Sequence, residues 1–237
     1  MFKIALDAGH GRNTAGKRCL KAIDPNETRE WVLNDRICDK IEAKLKSYDG
    51  YELMRVDDVT GEKDVSLHDR CKAANNFKAD IYLAIHHNAG IKGGSGGGIV
   101  VYVWNKPDAQ LQEWQKMFYN ALITNTGLKG NRCTPLAKMN LYVLTHTNMQ
   151  AVLVENGFMD STTDVPIILT DDFAEKVANA YVDVLAKIGG LTKKKTCTGD
   201  VPLYCVQVGS YSVKSNAEKM LSKLKEAGFT GFITKKE

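Results

Sequence analysis

The sequence lacks several features that assign a chain to a class of protein at once. No apolar run approaches the roughly 18 residues that a membrane span requires, so no transmembrane helix is predicted. None of the six cysteines form a C-x-x-C pair, which argues against a zinc knuckle or a thioredoxin-like redox site. Only five histidines are present, and the H-E-x-x-H pattern of thermolysin-like zinc proteases is absent.

A signal peptide is also missing from the first residues. The opening segment, MFKIALDAGHG, has one lysine and a short apolar stretch that turns polar at Asp7, which is typical of a first β-strand. Scattered cysteines in a chain without a leader indicate reduced thiols. We therefore expect a protein that is made in the cytoplasm without a leader, with secretion as the alternative.

Charge is distributed unevenly along the 237 residues. From Leu191 onward there are nine lysines and four acidic residues, whereas the preceding part has 23 basic and 24 acidic residues. The main body is thus close to neutral and the tail is basic. A basic tail favours a polyanionic surface, such as nucleic acid or an anionic cell wall, although a solvated lysine-rich face is the simpler alternative.

Strand-like and helix-like segments alternate over the first 190 residues. Strands are predicted at 2–9, 51–56, 79–89, 97–104, 141–147 and 151–158. Helices are predicted at 26–48 with Asn26 as its cap, at 66–77 from Ser66, at 109–127 closed by Gly127, and at 171–190. This alternation predicts an α/β fold with a mostly parallel twisted sheet flanked by helices on both faces.

The chain divides into three parts by composition. Residues 1–188 carry the alternating pattern and form the predicted catalytic domain. Residues 189–200 are rich in Gly, Thr and Lys and predict a linker. Residues 201–237 then predict a small β-α-β unit, with a helix over 215–228 between two strands.

Polar residues follow three of the predicted strands directly. His10 follows the first strand, His86 ends the strand that begins near Ala79, and Glu155 lies towards the end of the strand over 151–158. Active sites of open α/β sheets gather at the carboxyl ends of the strands, so we expect these side chains to share one rim. Zinc hydrolases commonly use three protein ligands and a carboxylate base. On the residues alone, Glu27, Glu30 and Glu155 are all candidates for the acidic roles.

Five ordered motifs resemble those of the zinc-dependent N-acetylmuramoyl-L-alanine amidases. They are LDAGHG at 6–11, EWVLN at 30–34, MRVDD with VSLHDRCKAANNFKAD at 54–80, LAIHHNA at 83–89 and VLVENGFMDSTTD at 152–164. Their order and spacing resemble the family over residues 1–188. Two positions depart from the family pattern: Ala84 stands where Ser is usual, and Arg12 stands where a second Gly is common.

The resemblance implies a role for each of four residues. His10, Glu30 and His86 would hold Zn²⁺, and Glu155 would be the general base that activates water. The bond hydrolysed would join N-acetylmuramic acid to L-alanine in peptidoglycan. Glu27 is the alternative ligand, but only Glu30 has an Asn at the matching offset, so Glu27 is expected in the first turn of the helix.

Neighbouring polar residues receive structural predictions instead. Strand alternation sends His87 to the face opposite His86, which indicates a packing or supporting role. His68 is expected to be exposed, and His146 is a weak candidate for substrate contact. Arg70 and Asp80 match family positions, but salt bridges are the simpler explanation of both.

The tail resembles the first half of a sporulation-related repeat (SPOR) domain, through its V-Q-x-G-S-Y start, N-A-E helix and G-F turn. Together these resemblances imply a cell-wall lytic enzyme of the endolysin type that acts after release. Its expected partner is peptidoglycan, with no nucleic acid, no membrane insertion and a monomeric state. The alternatives are a wall-binding protein with a degenerate site, or a zinc amidase or peptidase for another amide.

Overall fold

The structure is a computed structural model that describes residues 1–194 and 207–234. The chain separates into two compact units, Met1–Lys194 and Lys195–Glu237. None of the helices in these described ranges combines the length and apolar character needed to cross a bilayer.

The described residues contain eight strands and seven helices. The strands are β1 (Phe2–Ala8), β2 (Tyr48–Asp49), β3 (Tyr51–Arg55), β4 (Ile81–Asn88), β5 (Ile99–Val103), β6 (Leu136–Lys138), β7 (Gln150–Phe158) and β8 (Thr192–Lys193). The helices are α1 (Glu30–Leu45), α2 (Leu67–Phe77), α3 (Ala109–Thr126), α4 (Tyr142–Thr145), α5 (Val165–Ile168), α6 (Asp171–Gly189) and α7 (Lys214–Glu226).

Six of the strands form one sheet in the order β3-β1-β4-β7-β5-β6. The first four in this order are mutually parallel. Strand β5 runs antiparallel to β7, and β6 runs parallel to β5. The predicted mostly parallel α/β sheet is therefore confirmed, with two reversed strands at one edge.

Helices cover both faces of this sheet. Helices α1, α3 and α6 pack on one face, and α2 and α4 pack on the other. The side chains of β4 alternate accordingly: Leu83 and Ile85 belong to the first core, whereas Tyr82 and Ala84 belong to the second. Both faces of β4 are buried, which explains why its sequence reads as a continuous apolar run.

Helix boundaries agree with the sequence within two residues except for α1, which spans Glu30–Leu45 rather than the predicted 26–48. The hydroxyl of Ser66 accepts the amide of Asp69 at 3.1 Å and caps α2, and Gly127 closes α3 in the left-handed conformation. The predicted cap at Asn26 is wrong, because α1 begins at Glu30 with Arg29 at the N-cap. The carboxylate of Asp24 holds this segment in a turn by accepting the amides of Asn26 and Thr28, at 3.1 and 2.7 Å.

The strand predicted over 141–147 is also wrong. Residues Tyr142–Thr145 form the short helix α4, in which Val143 and Leu144 are both buried. Two neighbouring buried residues do not fit a strand with one exposed face, and a run this short cannot be assigned from its apolar residues alone. The hydroxyl of Thr147 donates a hydrogen bond to the carbonyl of Val143 in this helix at 2.7 Å.

The beginning of the predicted linker belongs to the first unit. Helix α6 continues to Gly189, and β8 then pairs antiparallel with β2 through Tyr48 and Lys193. The remainder of the predicted linker, residues 195–200, lies outside the described residues. In the tail, the predicted helix is present as α7, but residues 207–213 and 227–234 form no strand. The rest of the predicted β-α-β unit, 201–206 and 235–237, falls outside the described ranges.

The glycine-rich segment 90–98 is held by two carboxylates. Asp160 Oδ2 accepts the backbone amides of residues 90, 91 and 92 at 2.7 to 2.8 Å. Asp164 Oδ2 accepts the amide of Gly98 at 2.8 Å and that of Phe158 at 2.9 Å. A Cβ at Gly97 would lie 2.6 Å from the Asp164 carboxylate. Glycine here allows backbone to approach closely, so this composition does not by itself indicate mobility.

Candidate metal centre

Three separate segments bring two imidazoles and a carboxylate together at the carboxyl ends of the parallel strands. His10 lies two residues beyond β1, Glu30 is the first residue of α1, and His86 lies near the end of β4. Gly9 makes their approach possible, because a Cβ there would lie 2.0 Å from the ring of His86. His10 itself adopts the left-handed conformation with φ of 69°, which turns the chain sharply after Gly9.

The three side chains are close enough to share one ion. Glu30 Oε1 lies 3.0 Å from His86 Nδ1, and Glu30 Oε2 lies 3.3 Å from His10 Nε2. The two imidazole rings stand edge to face with centroids 5.0 Å apart. One ligand atom from each residue lies within 4.8 Å of the other two. Two imidazole nitrogens and a carboxylate oxygen are a donor set that suits Zn²⁺.

The Glu30 carboxylate is buried between two imidazoles. Only 1% of it is exposed. Burial alone would raise the pKa of Glu30, but His10 and His86 outweigh this effect and hold the pKa well below its usual value. Its Oε2 atom accepts no hydrogen bond of good geometry from the described residues. A buried carboxylate oxygen without a hydrogen-bond donor, facing two imidazoles, fits a cation-binding position.

Glu155 lies beside this cluster on the neighbouring strand. It is the register partner of His86 across the parallel pair β4–β7, so both side chains emerge on the same face. Burial is the main cause that raises the pKa of Glu155 to about 7; His86 and Lys17 oppose the increase, and the negative charge of Glu30 adds to it. Its Oε2 atom has no hydrogen-bond partner among the described residues. A carboxyl group with a pKa near neutrality can both accept and donate a proton.

Arg70 fixes the segment that carries His10. The guanidinium is 1% exposed and pairs with the buried carboxylate of Asp7. It also donates to the carbonyl of His10 at 2.8 Å and to that of Ala8 at 2.9 Å. The predicted salt-bridging role of Arg70 is confirmed. Its hydrogen bonds to the carbonyls of Ala8 and His10 also fix the backbone on both sides of Gly9. The salt bridge predicted for Asp80 is not found among the described residues; its carboxylate accepts a hydrogen bond from the backbone amide of Lys3 at 2.7 Å instead.

His87 points away from the cluster, as strand alternation predicts. It is buried against α1, where its Nδ1 lies 2.8 Å from the side-chain oxygen of Asn34. The side-chain amide of Asn34 donates a hydrogen bond to the carbonyl of Gly9 at 3.1 Å, and the backbone amide of His87 donates to Glu30 Oε1 at 3.2 Å. His87 and Asn34 therefore support His10 and Glu30 from behind, through backbone as much as side-chain contacts.

Three other residues singled out in the sequence lie away from the cluster. Glu27 precedes α1 rather than occupying its first turn, so the predicted interaction with the helix dipole is wrong. It has a positive φ of 49° and pairs instead with Arg18 at 3.2 Å. His68 and His146 are both exposed, and His146 stacks on Tyr142 with ring centroids 3.8 Å apart.

Sequence patterns did not point to Lys17, which the structure places at the edge of the cluster. Its Nζ lies 3.7 Å from Glu30 Oε2, and 44% of its side chain is exposed. Lys17 belongs to the loop between β1 and α1, and its carbonyl accepts the amide of Glu30 at 3.0 Å. A lysine in a polar loop carries no periodicity, so only the three-dimensional contact identifies it.

A cavity of about 350 Å³ opens next to the cluster. Its lining includes both imidazoles, His10 and His86, and the start of α2 at Ser66 and Leu67. The cavity therefore gives a bound molecule access to both imidazoles.

Two family models match the chain. The model described as N-acetylmuramoyl-L-alanine amidase matches residues 4–187. This range includes the three residues of the cluster and the neighbouring Glu155. The model described as the SPOR domain matches residues 200–237. The two matches follow one another along the chain without overlap.

Similar proteins include bacterial N-acetylmuramoyl-L-alanine amidases and a phage endolysin. The sporulation-specific N-acetylmuramoyl-L-alanine amidase of Bacillus subtilis (strain 168) is 30% identical over 240 residues, covering 100% of this chain and 86% of the relative. The endolysin of Bacillus phage SPP1 is 32% identical over 193 residues, covering 81% of this chain and 67% of the relative. The crystal structure of an N-acetylmuramoyl-L-alanine amidase from Clostridium difficile 630 superimposes with a TM-score of 0.70 at 25% identity, covering 78% of this chain and 95% of that one.

Proposed function

Because the chain belongs to the N-acetylmuramoyl-L-alanine amidase family, we propose that it binds Zn²⁺ through His10, Glu30 and His86 and uses Glu155 as its general base. As a member of this family it hydrolyses the amide bond between N-acetylmuramic acid and L-alanine in peptidoglycan, which detaches stem peptides from the glycan. The observation that carries the proposal is the buried Glu30 carboxylate between two imidazoles, with Glu155 on the adjacent strand.

The donor set supports zinc rather than a harder cation. Calcium and magnesium take oxygen ligands almost exclusively, whereas zinc accepts imidazole nitrogen and carboxylate oxygen together. Three protein ligands are also the number that catalytic zinc sites use, since one position stays open for water or substrate. Zinc, when bound, supplies Lewis-acid activation of water and of the amide carbonyl.

Glu155 would move the protons of the reaction. Its carboxylate accepts a proton from the attacking water while the water oxygen forms a bond to the carbonyl carbon. The carboxylic acid so formed donates that proton to the nitrogen of L-alanine as the C–N bond breaks. One water is consumed, and Glu155 returns to its starting charge. The raised pKa of about 7 suits both transfers.

The remaining residues of the first unit would hold this arrangement in place. Asn34 and Arg70 fix the backbone around His10, and the backbone amide of His87 orients Glu30. All of these supporting hydrogen bonds are present, and this argues against a wall-binding protein with a degenerate site.

We assign the hydrolytic site to residues 1–188 and attachment to the wall to 201–237, and we place the connection, predicted at 189–200, after the first unit ends at Lys194. The SPOR match over 200–237 and the lysine-rich character of this part support the assignment. Among the described tail residues, α7 carries Lys219 and Lys223 and has no buried side chain, so its charges are available to a polyanionic surface. The enzyme would thus act at the cell wall as an endolysin-like monomer.

The proposal is tested by hydrolysis of purified peptidoglycan after zinc removal and zinc return. We expect chelation to abolish release of stem peptides and stoichiometric Zn²⁺ to restore it. Mass analysis of the products identifies the bond that is cut. Full activity in a metal-free preparation would contradict the metal assignment, and products with L-alanine still attached to the sugar would contradict the assigned bond.

A further inference from the structure

We infer that Lys17 recognises a carboxylate of the stem peptide close to the bond that is cut, and that it thereby determines which stem peptides the enzyme prefers. This inference rests on the proposed function, because it assumes that the cleft beside Glu30 receives the substrate. It adds a specificity-determining residue that is neither a metal ligand nor the general base.

The position of Lys17 is fixed at its backbone and free at its tip. Its carbonyl accepts the amide of Glu30 at 3.0 Å, and the next residue, Arg18, forms an isolated β-bridge with Arg29. The side chain then extends so that Nζ lies 3.7 Å from Glu30 Oε2, with 44% of the side chain exposed. Its positive charge also opposes the raised pKa of Glu155. The ammonium group therefore lies at the opening of the cluster, within the electrostatic reach of both carboxylates.

The other basic side chains of this loop have partners other than Glu30: Arg12 lies over the ring of Trp31, and Arg29 donates to the carbonyl of Thr14. Arg18 pairs with Glu27 at 3.2 Å, and Lys21 approaches the same carboxylate at 3.9 Å. The one carboxylate that faces Lys17 among the described residues is Glu30. Lys17 thus differs from its neighbours in depending on a group that the proposed function commits to a metal ion.

Binding of a divalent cation changes the surroundings of Lys17. Two neutral imidazoles, one carboxylate and a divalent ion have a net charge of plus one, so the cluster no longer attracts a second cation. The ion then neutralises Glu30, the carboxylate that lies 3.7 Å from the Lys17 ammonium. A half-exposed lysine on a flexible four-carbon stem can turn towards the cleft and take an anionic group from the substrate.

The substrate offers such a group at a suitable separation. Stem peptides carry an acidic residue directly after the L-alanine, and its α-carboxyl group is either free or amidated. Successive Cα atoms lie about 3.8 Å apart, so this carboxyl group is only one residue beyond the alanine whose amide is cut. A charge-assisted hydrogen bond from the ammonium would distinguish the free acid from the neutral amide.

The test compares two N-acetylmuramoyl dipeptides that differ only in this group, one with the free α-carboxylate and one with its amide. We would measure kcat and KM for both with the zinc-loaded full chain and with Lys17→Met, Lys17→Arg and Lys21→Met. Lys21 is the matched control, because it lies on the same loop but faces Glu27. Zinc content of each variant shows that the metal cluster is intact.

We expect the wild-type enzyme to prefer the free acid roughly tenfold in kcat/KM, which is the size of one charge-assisted contact. In Lys17→Met, the kcat/KM values for the two dipeptides should differ by less than about twofold. The lost preference should come from a higher KM for the free acid, with kcat unchanged. Lys17→Arg should keep most of the preference, and Lys21→Met should keep all of it. A wild-type enzyme without a preference, or a Lys17→Met variant that retains one, would overturn the inference. A loss of kcat on both dipeptides alike would also overturn it, because Lys17 would then act at the reacting carbonyl.

Equilibrium binding separates this inference from the proposed function. Calorimetric titration of both dipeptides into the zinc-loaded Glu155→Gln variant, with and without Lys17→Met, reports recognition without turnover. If the wild type cut neither dipeptide, the proposed function would be wrong, while a preference for the free acid that disappears with Lys17→Met would still support the role of Lys17. Equal binding of the two dipeptides to Glu155→Gln would contradict it.

Discussion

His86 and Glu155 are register partners on the adjacent parallel strands β4 and β7, and this pairing places an imidazole beside a partly buried carboxyl group. Opposite residues on neighbouring strands emerge on the same face, so the sheet itself sets their separation. Glu30 completes the cluster from the start of α1, with its Oε1 atom 3.0 Å from His86 Nδ1. Two rigid elements and one helix end thus hold the groups that the proposed reaction needs.

Replacement of the general base should separate catalysis from metal binding. We expect Glu155→Gln to lower kcat by roughly 10²–10⁴-fold, because the amide cannot accept the proton of the attacking water. Zinc content should remain that of the wild type, since the three ligands are unchanged. Glu52→Gln is the matched control, because Glu52 lies on β3 and pairs with Lys3. A near-normal rate in Glu155→Gln would mean that another group is the base.

The same substitution should change stability in the metal-free protein. Folding raises the pKa of Glu155 from 4.5 to about 7, so the folded state holds a proton that the unfolded state has already released between these values. The contribution of Glu155 to stability is therefore greatest below pH 4.5 and falls as the pH rises towards 7. Glutamine does not titrate and escapes this loss.

Urea unfolding in the presence of a chelator measures this effect. The free energy of unfolding of Glu155→Gln minus that of the wild type should increase between pH 4 and pH 8, by on the order of 1–3 kcal/mol. For Glu52→Gln, which removes a partly exposed ion pair with Lys3, this difference in the free energy of unfolding should not change with pH. A difference that is independent of pH would show that the Glu155 carboxyl group has an ordinary pKa when folded.

The buried pair of Arg70 and Asp7 should be essential to the fold around His10. Arg70→Met leaves the Asp7 carboxylate buried without its cation, and we expect a loss of about 3–5 kcal/mol in the free energy of unfolding. Lys44→Met is the control at a partly exposed pair with Glu175, where the loss should be below about 1 kcal/mol. Equal effects of the two substitutions in urea titrations would contradict the assigned role of Arg70.

Removal of the tail should separate hydrolysis from attachment to the wall. The first compact unit ends at Lys194, after β8 has paired with β2, so we place the truncation there. The truncated protein should cut soluble muramyl peptides at a near wild-type rate. It should sediment less with purified cell walls, and the difference should shrink at high salt because lysine charges are screened. Unchanged sedimentation would exclude the tail from targeting.

Local patterns in the sequence were sufficient for most of the fold and for placing three of the four proposed site residues at one edge of the sheet. The apolar runs of β1, β4 and β7 each end in a polar side chain, and the parallel-sheet rule then places His10, His86 and Glu155 on one rim. Strand alternation likewise predicted the separate direction of His87. The choice of Glu30 over Glu27 depended on family resemblance, since both lie close to the helix start.

Features that depend on long-range contacts could not be predicted in this way. Asp24 competes with Asn26 for the turn before α1, and only the observed hydrogen bonds show which of them organises the chain. The glycine-rich segment is held by Asp160, some 70 residues away in sequence. Lys17 approaches Glu30 through tertiary folding of a loop without periodicity. In each case the partner is distant or the local pattern is ambiguous.

Anomalous scattering at the zinc absorption edge, from crystals of the zinc-loaded protein, tests the central claim most directly. We expect one zinc ion per chain, bound by His10, Glu30 and His86, and no ion in crystals of the His86→Ala variant. A zinc ion bound by other residues, or an ion that persists after His86→Ala, would contradict the proposed centre.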